Sequence, residues 1–388
     1  MKLISIGRFT QSLDYKSNIQ NYTTWNAMSQ YFDAIYLVVE SPNAENHFEK
    51  IDKLFIFWLP CKGSGVGGRI AFMRNAYHLT KKLICESNID VIDISEPVVA
   101  GPVAVRLKKE LHKPLVTQIQ GQLLDLPAGA FSRLKTRYIC QTTKYVCRHS
   151  DRIRTVSGEI TQSILKIGIP KDQVFTVPPR CDVDKFDPLK FLSTRTQLRA
   201  TLGYREDDTV IVFTGRVVAY RDLDSDLLAM KSLVRENRFF RLLVVGDGQD
   251  RDRLEAMCEQ LGLQENVQFI GRVPFDDVPK YLSVGDIFVS TPTNEGIARS
   301  VLEAMSMQLP VVATRVGGTP EVIENGINGI LVDVKSPEQI ADGVRYISQS
   351  AKKRTEMGQK AREVILDRHE FHKLIKQFAE IHFGIGKG

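Results

Sequence analysis

Short runs of β-branched and other apolar residues alternate with helix-like patterns along almost the whole chain. In the first half the strand-like runs are KLISIG, AIYLVV, LFIFWL, DVIDI, PLVTQI and QVFTV. Helical stretches are expected near residues 18–31, 69–87, 98–110, 131–149 and 157–167. In the second half the runs are TVIVFTG, FRLLVVG, VQFIG, DIFVS, PVVAT and GILV. Helices are expected there near 223–235, 249–262, 275–282, 297–307, 319–325 and 337–349. Strands that are apolar almost throughout, each followed by a helix, predict α/β architecture with parallel sheets covered on both faces.

Local punctuation supports this reading. Ser336-Pro337-Glu338-Gln339 has the form of a capping box with proline at the first helical position. Thr319-Pro320-Glu321 opens another helix, and Asn325-Gly326 closes it with a residue suited to positive φ. The loop PPRCDVDKFDP, residues 178–188, is rich in proline and charge and marks a domain junction. The last amphipathic stretch, EFHKLIKQFAEIHFG, needs an apolar surface to cover it.

The length of 388 residues exceeds what one hydrophobic core usually organises, so two domains are expected. Apolar residues at 43% and charged residues at 25% fit a globular protein. The N-terminal stretch reads as a strand and not as a secretory signal, and no apolar run approaches the length of a membrane span. Six scattered cysteines without a CxxC pair point to reduced thiols in a cytoplasmic protein. The seven histidines show no metal-binding spacing, so neither metal nor cofactor is expected. Charge is unevenly divided. Residues 1–186 carry 25 Lys+Arg and 17 Asp+Glu, a net of +8; the rest carries 52 − 25 = 27 and 46 − 17 = 29, a net of −2. A basic first half attracts anionic substrates or an anionic membrane face.

Candidate chemistry gathers in the second half. FTGRVVAYRD ends a strand at Gly215 and supplies Arg216 and Arg221 just beyond it. Ligands of open α/β sheets bind beyond the carboxyl ends of strands, and two guanidiniums there match a diphosphate. In LLVVGDGQD, Asp247 reads as mainly structural. In NEGIARSVLE, Glu295 and Gly296 stand at a helix entrance, where the N–H groups of Ile297, Ala298 and Arg299 form an anion site. Glu295 would repel phosphate, so it is expected to face neutral sugar hydroxyls. Glu303 lies two turns on, in an apolar stripe where a carboxylate needs a bonding partner such as ribose hydroxyls.

Two glutamates separated by seven residues within NEGIARSVLEAMSMQLPVVAT resemble the signature of the retaining family-4 glycosyltransferases of GT-B fold. VFTGRVV, VVGDG, VQFIGRV, GGTPEVIENGINGILV and VPPRCDVDKF add to the resemblance, which runs from about residue 90 onward and is strongest over 205–335. It implies two Rossmann-like domains with parallel sheets facing across a cleft: residues 1–185 for the acceptor, 186–370 for the nucleotide-sugar donor, and 371–388 as a helix returning to the first domain. It also implies roles. Glu295 matches the residue on the donor sugar, Glu303 that on the ribose, and Arg216 that on the diphosphate. Arg221 stands where the family usually has lysine, and Arg272-Val273 where backbone groups hold the base. The expected activity is transfer of a hexose from a UDP- or GDP-sugar to a hydroxyl acceptor, with retention, in glycan, glycolipid or polysaccharide synthesis. A nucleotide-sugar epimerase and a catalytically silent nucleotide-sugar binder are the alternatives.

Departures from the family pattern concentrate in the first half. Where a histidine is common, the chain has Gln120-Gly121, and glutamine carries no proton charge near neutral pH. The usual glycine pair after strand one is replaced by Gly7-Arg8. Gly63, Gly65 and Gly68 match GxGxxG but follow the third strand-like run, so a cleft-facing loop with Arg69 is favoured over dinucleotide binding. Gln120, Gly121, Arg8 and Arg69 are thus the acceptor-side candidates. DVD at 182–184 and DLDSD at 222–226 read as caps or solvated acids. Residues 130–154 hold seven basic side chains against Asp151 alone, with Phe131, Leu134 and Tyr138 at helical spacing. A solvated face explains them, and contact with a membrane surface or a lipid-linked acceptor is the functional alternative. No nucleic-acid module is present in the sequence.

Overall fold

The structure, a computed structural model, describes residues 1–7, 19–41, 45–61, 66–126 and 132–384. Arg8, Gly63, Gly65 and Phe131 lie outside the described residues. The chain divides into two compact units, Met1–Pro178 with His372–Gly388, and Pro179–Phe371. The first division falls between Pro178 and Pro179, at the start of the stretch expected to be the junction. Phe186 is 1% exposed within the second unit's core, and the Cys181 N–H donates to the His369 carbonyl at 2.8 Å. Most of that stretch is therefore part of the second unit.

The first unit has eight strands among the described residues: β1 (Lys2–Ile6), β2 (Ala34–Ser41), β3 (His47–Ile51), β4 (Leu54–Pro60), β5 (Val91–Ile94), β6 (Leu115–Ile119), β7 (Arg152–Thr155) and β8 (Val174–Thr176). Their order is β3-β4-β2-β1-β5-β6-β7-β8, parallel throughout except for the β3–β4 hairpin. The apolar-run reading misses β3 and β7. HFEKI is polar and largely exposed at the sheet edge, and RIRT is hidden inside the basic run. Arg154 of β7 is nevertheless 5% exposed, because Nε and Nη2 donate to the Val177 carbonyl and Nη1 to Gln118.

The amphipathic helix Phe371–Glu380 buries Leu374, Ile375, Phe378 and Ala379. Phe378 lies 6.2 Å from Trp25, and the Arg154 guanidinium sits over its ring. Arg152 donates to the carbonyls of Ile381 and Phe383, both at 2.8 Å. His382 reaches Asp93 at 3.2 Å. Asp93 also accepts from Ser5 at 2.7 Å and from Gln118 at 2.9 Å, so this fully buried carboxylate is saturated by donors.

The second unit has six parallel strands: β9 (Thr209–Thr214), β10 (Phe240–Val245), β11 (Val267–Gly271), β12 (Ile287–Ser290), β13 (Val311–Thr314) and β14 (Gly329–Val332). Their order is β11-β10-β9-β12-β13-β14. Side chains alternate between two cores. Val210, Val212, Leu243 and Phe288 face one, and Ile211, Phe213, Leu242 and Ile287 face the other. This is the doubly covered sheet expected from apolar strands. The order reverses between β9 and β12, the topological switch point at which α/β sheets open a crevice at the strand carboxyl ends.

Helices Leu192–Thr201 and Ala351–Arg368 were not legible as apolar patterns. The first buries no residue and the second only Met357, Gly358, Ala361 and Ile365. Ser336 precedes helix Pro337–Ser348 as expected, but the capping box does not form. The Ser336 hydroxyl turns back to the Val334 carbonyl, and Gln339 exchanges hydrogen bonds with Asp333.

Candidate donor site

At the switch point two turns meet. One follows β9 and carries Gly215, Arg216 and Arg221; the other follows β12 and carries Glu295 and Gly296. The Thr293 N–H donates to the Tyr220 carbonyl at 2.8 Å, fastening one turn to the other. Behind them the backbone is packed to contact. A Cβ on Gly246 would stand 1.7 Å from the Gly215 oxygen, and one on Gly248 2.2 Å from the Val217 oxygen. A Cβ on Gly317, at φ +52°, would stand 1.9 Å from the Glu295 oxygen, while the Gly318 N–H donates to Gly296 at 2.7 Å. Glycine is required at these positions because any side chain would separate the loops. Asp247 accepts from the Gly248 N–H at 2.8 Å, in keeping with a structural role.

The side chains differ from the simplest expectation in one respect. Glu295 faces a cation: its Oε2 lies 2.9 Å from Arg221 Nη2. The approach is one of charge, since neither that oxygen nor the buried Arg221 Nε has hydrogen-bond geometry to a described residue. The guanidinium neutralises what would otherwise be a carboxylate set against an anion site. Both arginines flank Tyr220. Arg216 donates to its hydroxyl at 2.7 Å, and the Arg221 guanidinium stands 5.3 Å from the ring centroid. Arg216 is exposed and Arg221 is not. Apolar scanning passes over Tyr220, although its place between the two arginines is a usable signal.

The helix after Gly296 spans Arg299–Ser306, two residues shorter at its start than the apolar pattern suggests. Ile297 and Ala298 turn their side chains into the core, at 6% and 4% exposure. Glu303 is 8% exposed in the second turn of this helix and accepts no side-chain hydrogen bond from the described residues. Burial pushes its carboxyl up to about 7, against the opposing pull of Arg299 and then Lys185. Burial also lowers the Arg299 guanidinium, with Glu303 opposing. A shift of that size on the glutamate corresponds to about 3 kcal/mol of unfavourable environment for the ionised form.

Other candidates are dispersed. Gly271, at φ +84°, ends β11 and accepts from the Gly246 N–H at 2.9 Å, which sets Arg272 at the surface and Val273 against the core. In the first unit, exposed Gln120 donates to the Ser95 carbonyl at 3.2 Å, and Gly121 has open space beside it. Arg69 is half-buried in helix Val66–Ser87, and its Nε has no partner among the described residues. Asp182 bonds the Lys185 N–H and Asp224 is held by Arg253, but Asp226 of the second acidic run is neither cap nor solvated: it is 2% exposed and accepts from the Thr291 hydroxyl.

The chain is similar to known proteins over most of its length. The family model described as "Glycosyl transferases group 1" matches residues 194–364, and "Glycosyltransferase Family 4" matches 34–185. An uncharacterized glycosyltransferase of Methanocaldococcus jannaschii is 29% identical over 72% of this chain and 72% of that protein. The N-acetyl-alpha-D-glucosaminyl L-malate synthase of Bacillus anthracis is 25% identical over 62% of each. Among solved structures, Anabaena HepE in complex with UDP-glucose superposes with a TM-score of 0.77 at 18% identity, covering 98% of both chains. The sucrose-phosphate synthase of Thermosynechococcus elongatus gives 0.81 at 15%, also covering 98% of both. Two parallel α/β sheets, matching family models over both units, and GT-B structural neighbours make the chain a member of the family-4 glycosyltransferases.

Proposed function

We propose that this glycosyltransferase takes a hexose from a UDP- or GDP-sugar and passes it, with retention at the anomeric carbon, to a hydroxyl acceptor. The observation that carries the reading is Glu303, a buried carboxylate without a hydrogen-bond donor among the described residues, on the helix that follows an Arg221–Glu295 pair at the β9–β12 switch point. Ribose hydroxyls supply Glu303 with its missing donors. Sugar hydroxyls replace Arg221 on Glu295, and the released guanidinium joins Arg216 and the N–H groups of Ile297 and Ala298 on the diphosphate. Charge building up on the leaving phosphate is thereby stabilised where it develops. The bond from the anomeric carbon to the phosphate oxygen breaks, the acceptor oxygen bonds from the same face, and the departing phosphate takes the acceptor proton. That route needs no enzyme base, which suits Gln120 in place of a histidine. The donor classes are those named for similar proteins, UDP-glucose for HepE and GDP-mannose for a mycobacterial mannosyltransferase.

The acceptor is placed near an anionic membrane face. Helix Arg133–His149 exposes Leu134 and Tyr138 among Arg133, Lys135 and Arg137 and carries no acidic residue. No helix among the described residues is long and apolar enough to cross a membrane, so the contact is peripheral. Reversing those three charges should lower sedimentation with anionic vesicles; unchanged sedimentation discards this element.

The central test is a thermal-shift screen of UDP-, GDP- and ADP-sugars, followed by incubation with the best stabiliser. Slow release of the free nucleoside diphosphate is expected. Conversion to an isomeric nucleotide sugar would instead identify an epimerase, and stabilisation with neither product a silent binder.

A further inference from the structure

Directly beneath the donor site lies a carboxylate that the reaction above does not use. Asp226, in the first turns of helix Leu223–Glu236, is 2% exposed. Both its oxygens face one hydroxyl, that of Thr291, at 3.0 and 3.1 Å. The same hydroxyl is 3.4 Å from the Arg221 carbonyl. Thr291 is the first residue beyond β12 and leads into the Glu295 turn.

A hydroxyl has one proton to give. If Asp226 is ionised, that proton is held by the carboxylate, and the Arg221 carbonyl goes without. If Asp226 is neutral, its own O–H donates to Thr291 Oγ1, and the Thr291 proton is free for the Arg221 carbonyl. Only the neutral form completes a chain from helix to Glu295 loop to Arg221 turn.

We propose that neutral Asp226 is a positioning residue: through Thr291 it locks the Arg221 turn to the Glu295 loop and so sets the Arg221–Glu295 pair. This inference rests on the donor-site reading. The surroundings favour the neutral acid. Burial raises Asp226 to about 8 against the pull of the Thr291 hydrogen bond, and Asp222 and Asp224 at the start of the same helix add to the rise by repelling a further negative charge. Asp222 has its charge opposed by Lys335, and Asp224 is paired with Arg253. Across Thr291, Arg221 is already neutralised by Glu295.

The test uses the full-length protein and release of nucleoside diphosphate from UDP-glucose or GDP-mannose, whichever gives the larger thermal shift, at saturating donor. The parent rate should fall about tenfold from pH 7 to pH 9, the loss of neutral acid expected for a midpoint near 8. In Asp226→Asn, whose amide always donates, the alkaline fall should disappear. Thr291→Val should cut the saturated rate several-fold at pH 7 with little change in the donor concentration at half-saturation, and Thr291→Ser should restore it. A parent rate flat to pH 9, an Asp226→Asn profile that keeps the fall, or a Thr291→Ser variant as slow as valine overturns the proposal. Glu295→Ala run alongside separates the two claims: if it releases nucleoside diphosphate at the parental rate, the donor-site reading itself has failed.

Discussion

Each unit buries an acid near its carboxyl-terminal strand edges, and the two acids are treated in opposite ways. Asp93 in the first unit receives donors from Ser5, Gln118 and His382. Glu303 in the second accepts no side-chain hydrogen bond from the described residues and has the charges of Arg299 and Lys185 opposing its burial. A buried polar group whose partners all come from the protein serves the fold, because its desolvation is already offset. One left short of donors weakens the apo protein and is retained only if something outside the chain completes it. Asp93 joins a C-terminal segment to a sheet, and on the proposed reading Glu303 waits for ribose hydroxyls.

That contrast can be broken most sharply at the carboxylate paired with Arg221. Glu295→Ala should reduce turnover of the preferred nucleotide sugar by about a hundredfold or more, since in the proposed function this carboxylate holds the reacting sugar. Steady-state rates check this, and a loss under threefold would place the chemistry elsewhere.

In the first unit the expected effect is on stability. His382→Ala should cost about 2–4 kcal/mol, by opening a cavity and taking a donor from Asp93. Urea unfolding is the measurement. A change below about 0.5 kcal/mol would show that the tail is not fastened there.

At Glu303 the two readouts should move in opposite directions. Its folded carboxyl is raised to about 7, above the unfolded value, so the folded state binds the extra proton and loses stability as pH rises from about 4.5 to 7. Glu303→Gln removes the charge and should raise the apo melting temperature by several degrees at pH 8, with no gain at pH 4. It should also weaken UDP or GDP binding about tenfold, because a charge-assisted bond becomes a neutral one. For the parent, affinity should fall as pH drops through about 7, a dependence absent from the glutamine variant. Calorimetric titration at pH 6 and pH 8 decides this.

Much of this protein could be read along the chain. The strands of the second unit stand out because most of them are buried on both faces and so appear as nearly unbroken apolar runs, edge strand β11 being the least covered. Arg216, Arg221, Glu295 and Glu303 were legible because a strand end and a helix start put charge beside glycine within a few residues. Elements without that contrast were hidden. β3 is polar at an edge, β7 is written in arginines, and helix Leu192–Thr201 buries nothing. Tertiary packing alone decided the rest. Whether Glu295 meets a cation, whether Gly317 presses on its carbonyl, and whether Asp226 lies under Thr291 depend on contacts between β9, β12 and β13 loops far apart in sequence. Local pattern reports burial and turn chemistry. The partner of a buried charge is chosen by the order of strands in the sheet, and no window of sequence contains it.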